Sequence, residues 1–241
     1  MKNIFALAGM MLLSACSFDP RPVQIDSATR TVGVISVIPP ELNIDTTGRN
    51  IFQGGNVYEK LSLSQWNINA AAEEDMRLAL DPRYSVTKIP PPPGFGVWGD
   101  IYSGVPDIGE QIRQQVHGAG VDLYIVLWMH PLGVSTKASP PKRLGLGIAL
   151  NDSLLFDAVP ELYARVAVSV VDGHSFKVLN TTRLEAWENG NDNLTTLPKF
   201  TWQDHWYKFS DEQRALVLRT TEDLLKRSIR VTFRQMNLAA N

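Results

Sequence analysis

One cysteine, Cys16, is all the thiol chemistry in 241 residues. An internal disulfide is excluded, and so is any metal centre built from several thiolates. No apolar run after the first fifteen residues approaches the ~20 that a membrane helix needs. No HExxH or GxSxG occurs, and the four histidines (His117, His130, His174, His205) never fall at metal-ligand spacing. No metal and no cofactor are therefore expected. A net charge of −2 gives no sign of nucleic-acid binding. No internal repeat is visible.

What is present begins at the N-terminus. Lys2 supplies a positive start, and an apolar run of roughly ten residues follows at 4–13, the layout of a secretory signal. Such a run is ~15 Å long as a helix, half of a ~30 Å hydrocarbon core. It ends in Leu13-Ser14-Ala15-Cys16. Cleavage before Cys16 would put Leu13 three positions ahead of the cut, poor for ordinary secretion. Cleavage after Ser17 would put Ala15 and Ser17 at the two small-residue positions and discard the thiol.

The Leu-Ser-Ala-Cys block resembles the lipobox of bacterial lipoproteins. That resemblance implies lipidation of Cys16, which becomes the first mature residue carrying a diacylglycerol and an N-acyl chain. Ser17 in place of Asp implies, by the same resemblance, sorting to the outer membrane, with the body facing the periplasm. Two or more acyl chains hold firmly where one holds marginally, at about 0.8 kcal/mol per buried methylene. The expected organisation is a signal peptide at 1–15, a lipidated tether at 16–30 with Pro20 and Pro22, and one periplasmic domain at 31–241.

Within the domain, TVGVISVI at 31–38 is β-branched and stopped by Pro39-Pro40, hence a strand. Residues 41–64 read as loop. Residues 66–80 form a helix ending at Asp81-Pro82, and 84–89 a short strand. Asp107, with Glu110 three residues on, caps a helix at 107–116 that Gly118 and Gly120 terminate. The nearly continuous apolar run 121–129 is a strand buried on both faces. Residues 144–150 alternate Leu or Ile with Gly or Ala, giving a strand whose glycines accommodate a close-packed helix. Residues 162–171 and 176–186 are strands joined by an Asp172-Gly173-His174-Ser175 turn. Residues 187–209 are irregular and aromatic, and 210–236 form a long helix capped by Ser210 and Gln213. The expected fold is α/β (α+β): a single mixed β-sheet of about five to six strands, helices packed on it, and a long C-terminal helix. This element order resembles the α/β domains of outer-membrane assembly lipoproteins, including the curli-secretion lipoprotein and the activators of penicillin-binding proteins. Order alone carries that resemblance, and it assigns no residue a role.

Functional candidates come from surface chemistry. Trp202, His205, Trp206 and Tyr207, flanked by Phe200, Phe209 and Asp204 with Trp187 upstream, offer rings that either stack a glycan such as peptidoglycan or pin a loop to the core. Lys226, Arg230 and Arg234 recur every four residues on the last helix. They either complement its dipole or face an anionic partner. Gly94-Phe95-Gly96-Val97-Trp98-Gly99 spells GxGxxG, but four prolines precede it where a dinucleotide site needs a strand. The reading that follows is a non-catalytic binding or assembly component, held at the membrane by its lipid, with an envelope protein or peptidoglycan as partner. Two alternatives stay open. One is an envelope hydrolase whose Ser, His and Asp converge only in space. The other is a small-ligand sensor with residues 90–106 as a lid over an apolar pocket.

Overall fold

The computed structural model describes residues 22–47, 57–95, 107–129, 145–151, 159–184, 194–197, 200–203 and 205–239. Cys16 and the rest of the signal and lipobox lie outside them, as do His130, Trp187, Asp204 and residues 96–106. The fold is α+β, with a long C-terminal helix as expected, but the strands form two mixed sheets of five rather than one.

β1 (Thr31–Val37) lies between β4 (Ser85–Lys88) and β5 (Leu123–Trp128), parallel to both. β8 (Ala167–Asp172) and β9 (Val178–Arg183) continue that sheet antiparallel, giving the order β4-β1-β5-β8-β9. The second sheet contains β2 (Glu41–Thr47), β3 (Val57–Ser62), β6 (Gly145–Asn151), β7 (Glu161–Arg165) and β10 (Leu194–Thr196) in the order β10-β7-β6-β2-β3.

The two orders match column by column. β1 leads into β2 and β7 into β8 through described residues, and β5 with β6 and β9 with β10 occupy matching columns of the two sheets. The side-chain parity survives the crossing. Leu162, Ala164, Val166, Val168 and Val170 all point into one core, although the single strand expected along 162–171 is two, with the ladder broken at Val166.

Both sheets turn this shared apolar face toward α1 (Ile68–Ala79) and α3 (Asp211–Gln235). Ile68, Ala72 and Met76 enter from α1; Val217, Leu224, Leu225, Ile229 and Phe233 enter from α3. Thr221 and Ser228, also buried, return their hydroxyls to the Val217 and Leu224 carbonyls, so no polar atom of theirs is stranded in the core. α3 begins with a reciprocal capping box between Ser210 and Gln213. A second, smaller core on the opposite face of the first sheet gathers Ile35, Tyr124, Val126 and Trp128 under α2 (Ile108–Gln115), whose cap is Asp107. β5 is therefore buried on both faces.

Four expectations need correction. Residues 41–64 contain β2 and β3, which pair with each other antiparallel, although ELNIDTT and VYEKLS lack the unbroken apolar or β-branched run that marks a strand. The glycines of β6 serve a neighbouring strand, not a helix: a Cβ on Gly147 would overlap the Tyr163 ring and the Asn43 carbonyl oxygen. In the β8–β9 turn the left-handed residue is Phe176 (φ 58°), not Gly173. Gly173 is needed for close approach, because a Cβ there would overlap the Val121 carbonyl oxygen. Finally, residues 22–30, expected as free tether, are packed. Val23 donates its N–H to the Met236 carbonyl (3.0 Å) and is buried, and Ser85 N–H reaches the Arg30 carbonyl (2.7 Å).

At the crossing between β1 and β2, prolines 39 and 40 cannot donate to a ladder. Asn69 of α1 replaces the missing partners. Its Oδ1 accepts from Ile38 N–H and Ser36 Oγ–H (both 2.8 Å), and its Nδ2 donates to the Ile38 carbonyl (2.9 Å). Asn69→Ala leaves both backbone groups of buried Ile38 without a partner and should destabilise the fold by about 2–3 kcal/mol. The urea-denaturation midpoint measures this. A loss under about 0.5 kcal/mol, the range of neutral surface changes, would show that Asn69 does not hold the crossing.

Candidate functional site

The aromatic segment divides into two populations. Phe209 is buried, and three rings meet it edge-on: Phe200 at 5.3 Å, Trp206 at 5.6 Å and Trp202 at 5.9 Å between centroids. All three also pack against the main core. These rings anchor the segment, the geometry aromatic clusters favour.

His205 and Tyr207 face outward. Tyr207 is 69% exposed, and the two rings stack nearly parallel, 14° apart with centroids 5.4 Å apart. Several groups fix the pair. Glu59 on β3 accepts the Trp206 N–H (3.2 Å) and lies 3.6 Å from His205 Nδ1. Arg214 on α3 donates to the carbonyls of Phe209 (3.0 Å) and Tyr207 (3.3 Å). Lys208 Nζ lies 5.9 Å from the Tyr207 ring centre. The result is a flat aromatic surface with a carboxylate and an ammonium beside it, on a short 3₁₀ turn (Trp206–Lys208) bound to the edge of the second sheet. Such a surface can stack an apolar sugar face while its polar neighbours meet hydroxyl or amide groups.

The basic positions of α3 lie elsewhere. Lys226 Nζ is 3.5 Å from Asp75 on α1. Burial raises the Asp75 carboxyl above its ordinary range, and Lys226 and then Arg230 oppose that rise. Arg227 reaches Thr195 on β10 (2.8 Å). Arg230 and Arg234 are exposed. The structure therefore brings Trp202, His205, Trp206 and Tyr207 together and keeps Lys226, Arg230 and Arg234 apart from them. Glu59, which holds the exposed pair, was not foreseen. It lies on a strand with no local signature, about 150 residues away in sequence.

His174 and Ser175 sit in the β8–β9 turn. Ser175 donates its hydroxyl to Asp172 (2.7 Å), and His174 Nε2 is 3.5 Å from a different carboxylate, Asp122. The hydroxyl and the imidazole are thus committed to separate acids, which is not a nucleophile–base pair. His205 meets Glu59. The side chain of His117 and all of His130 lie outside the described residues. Among the described residues no group of three or more His, Cys, Asp or Glu is placed to hold a metal ion, and no helix is long and apolar enough to cross a membrane. Of the GxGxxG stretch, Gly94 (φ 82°) and Phe95 are described. Phe95 is buried in the smaller core and its N–H closes a turn onto Pro92.

No family model matches the sequence, and no curated protein does. Two of the solved structures that align with it show how distant the likeness is. One is the hypothetical protein CT253 from Chlamydia trachomatis: 14% identity, TM-score 0.38, 86% of this chain and 97% of that chain covered. The other is a neuraminyllactose-binding hemagglutinin homolog from Helicobacter pylori: 11% identity, TM-score 0.36, 90% of this chain and 91% of that chain covered. At these scores neither likeness carries an argument about what the chain does.

Asp122 is structural. It accepts from the N–H groups of Arg30 and Thr31 and from the Thr31 hydroxyl, all at 2.9 Å, and so clasps the incoming segment to β5. Those bonds, led by the Arg30 N–H, hold its carboxyl down at about 2 against an ordinary 3.8. A depressed carboxylate stabilises the fold above its ordinary value and loses that contribution as pH falls toward the folded value. Asp122→Asn should therefore be less stable than wild type at pH 6, and the gap should close between about pH 4 and 2. Melting temperatures across that range check it. A gap independent of pH would overturn the assignment.

Proposed function

We propose that the chain is a lipid-anchored component of the bacterial outer envelope that binds another envelope component and does no covalent chemistry. Acyl chains on Cys16 fix it to the outer membrane, with the two-sheet body on the periplasmic side. The binding surface is the His205–Tyr207 pair with Glu59 and Lys208, and its ligand class is glycan, for which peptidoglycan is the abundant candidate in that compartment.

One observation carries the binding part of this reading. In a segment where three of its aromatic neighbours serve the core, Tyr207 is held out in solvent by hydrogen bonds that fix its backbone and by a stacked imidazole. Exposing a ring at a pre-set angle costs burial and removes the entropy penalty a ligand would otherwise meet. The lipobox supports the anchor independently.

Two variants separate binding from folding. Tyr207→Ala should leave the melting temperature unchanged and weaken co-sedimentation with purified peptidoglycan about fivefold, the order of one aromatic stacking contact. Trp206→Ala should destabilise the protein by about 3 kcal/mol, as core aromatic truncations do. If Tyr207→Ala sediments like wild type, the glycan reading fails. The anchor has its own test. Cys16→Ser should abolish the acyl mass on the mature N-terminus and release the protein from the membrane fraction, and a wild-type N-terminus without that mass would refute lipidation.

A further inference from the structure

The packed N-terminal segment builds a second feature beyond the C-terminal end of α3, whose N-terminal end follows the aromatic segment. Residues 25–30 and the turn after α1 enclose an open polar cleft of ≈ 470 Å³, whose lining includes Asp26, Ser27, Arg30, Arg83 and Tyr84. Both arginines are held in place. Arg30 Nη1 donates to the carbonyls of Ser27 (2.6 Å) and Thr29 (2.8 Å), which fixes the plane of its guanidinium. Arg83 Nη2 donates to the Tyr84 hydroxyl (2.7 Å), its guanidinium carbon lies 4.8 Å from the Tyr84 ring centre, and its Nε is 3.8 Å from Asp81. Asp26 caps the turn through Ala28 N–H (2.8 Å).

The chemistry of this lining is specific in kind. Planar guanidinium forks match tetrahedral phosphate oxygens, and fixing them in advance lowers the entropy lost on binding. Asp26 in the lining and Asp81 beside Arg83 give the cleft both signs of charge. Cations interleaved with carboxylates fit a phosphodiester that carries an ammonium group better than a bare anion. On the other side of Tyr84 a second hollow of ≈ 350 Å³ is lined in part by Leu78 and Pro82, and Leu78 is 54% exposed. A phosphate cleft next to an exposed leucine is the pairing expected where a protein touches the boundary between headgroups and acyl chains.

Position in the chain supplies the remaining argument, and it rests on the proposed lipidation. Pro22 is six residues from Cys16, so the intervening chain spans at most ~20 Å. The cleft begins three residues later, at Ile25. It cannot stand far from the headgroups to which Cys16 is fixed.

We propose that the Arg30–Arg83 cleft binds the phosphodiester of a zwitterionic phospholipid headgroup, of the phosphoethanolamine type, and seats the body against the membrane that holds its anchor. The test removes the anchor first. Full-length Cys16→Ser protein is compared with the same protein carrying Arg30→Gln and Arg83→Gln, on vesicles of phosphatidylethanolamine and phosphatidylcholine. Loss of the charge-assisted contacts to the phosphodiester should weaken vesicle binding about tenfold, and soluble glycerophosphoethanolamine should compete in the parent protein only. Equal binding by both proteins overturns the proposal. Saturable binding of glycerophosphoethanolamine with no difference on vesicles also overturns it, in favour of a soluble phosphodiester ligand. Because Arg30 also braces its own turn, Arg83→Gln alone is the second variant: its unchanged melting temperature with a several-fold vesicle defect supports the cleft, and an unchanged vesicle affinity refutes it. The acyl mass on wild-type Cys16 is read separately, so a missing anchor and a missing headgroup site give different results.

Discussion

A strand twice as long as its hydrogen-bond ladder must change direction without losing its buried face, and that constraint governs this molecule. The chain crosses between the two sheets within matching columns. At each crossing the ladder stops, but the inward side chains must still reach one core. Two solutions appear. At Val166 the backbone simply carries on, and even-numbered residues stay inward throughout. At Pro39-Pro40 the chain bends, and a helix side chain takes over the role of a neighbouring strand. Asn69 can do this because an amide offers a donor and acceptors at once, the same set as the peptide it replaces. The helix is thereby tied to the crossing.

The helices and the first-sheet strands were legible because their signals are local. A capping box, a four-residue apolar spacing and a Pro stop act within one or two turns, so the sequence around Ser210 or Asp107 is enough. β5 was legible for another reason: a strand buried on both faces needs an unbroken apolar run. β2 and β3 were not. Residues 41–47 read ELNIDTT, whose Asn43 and Asp45 suggest loop, yet both are buried within the second sheet. One partner of β2, β3, is near in sequence but equally polar, and the other, β6, lies a hundred residues further on, outside any window spanning β2. The doubling of the sheet was hidden by the same non-locality. Parity continues across the break, so alternation cannot reveal that the ladder has stopped.

The aromatic segment shows how far composition can take a site. The segment was visible as a cluster; the division of labour inside it was not. Which ring is held out depends on Arg214 and Glu59, one from the following helix and one from a strand about 150 residues away. Stacking and burial draw on the same apolar area, so a ring cannot supply both in full. Trp202, Trp206 and Phe200 give theirs to Phe209 and the core, and only Tyr207 with His205 retains a face for a ligand. The basic positions of α3 carry a parallel lesson. Spacing placed Lys226, Arg230 and Arg234 on one stripe, but Lys226 already has an internal acid in Asp75, and charge met within the fold is not available to a partner at full strength.

If Cys16 carries the proposed acyl chains, the docked N-terminal segment alters the physics of attachment. A free leash of fourteen residues lets a body wander up to ~50 Å from its anchor and rotate freely. With Val23 bonded to Met236 and Arg30 and Thr31 clasped by Asp122, the leash shortens to the residues before Pro22. Shortening it by more than half raises the effective concentration of the membrane at the body's surface, since that concentration falls roughly as the −3/2 power of leash length. A contact too weak to hold a soluble protein at a bilayer can then fix the orientation of an anchored one. Under the proposed lipidation, two guanidinium groups and one exposed leucine would suffice for that task, because the acyl chains would supply the affinity and the cleft need only choose which side faces down. Tyr207, at the other end of α3 from this cleft, would under that anchoring be left free to meet a partner.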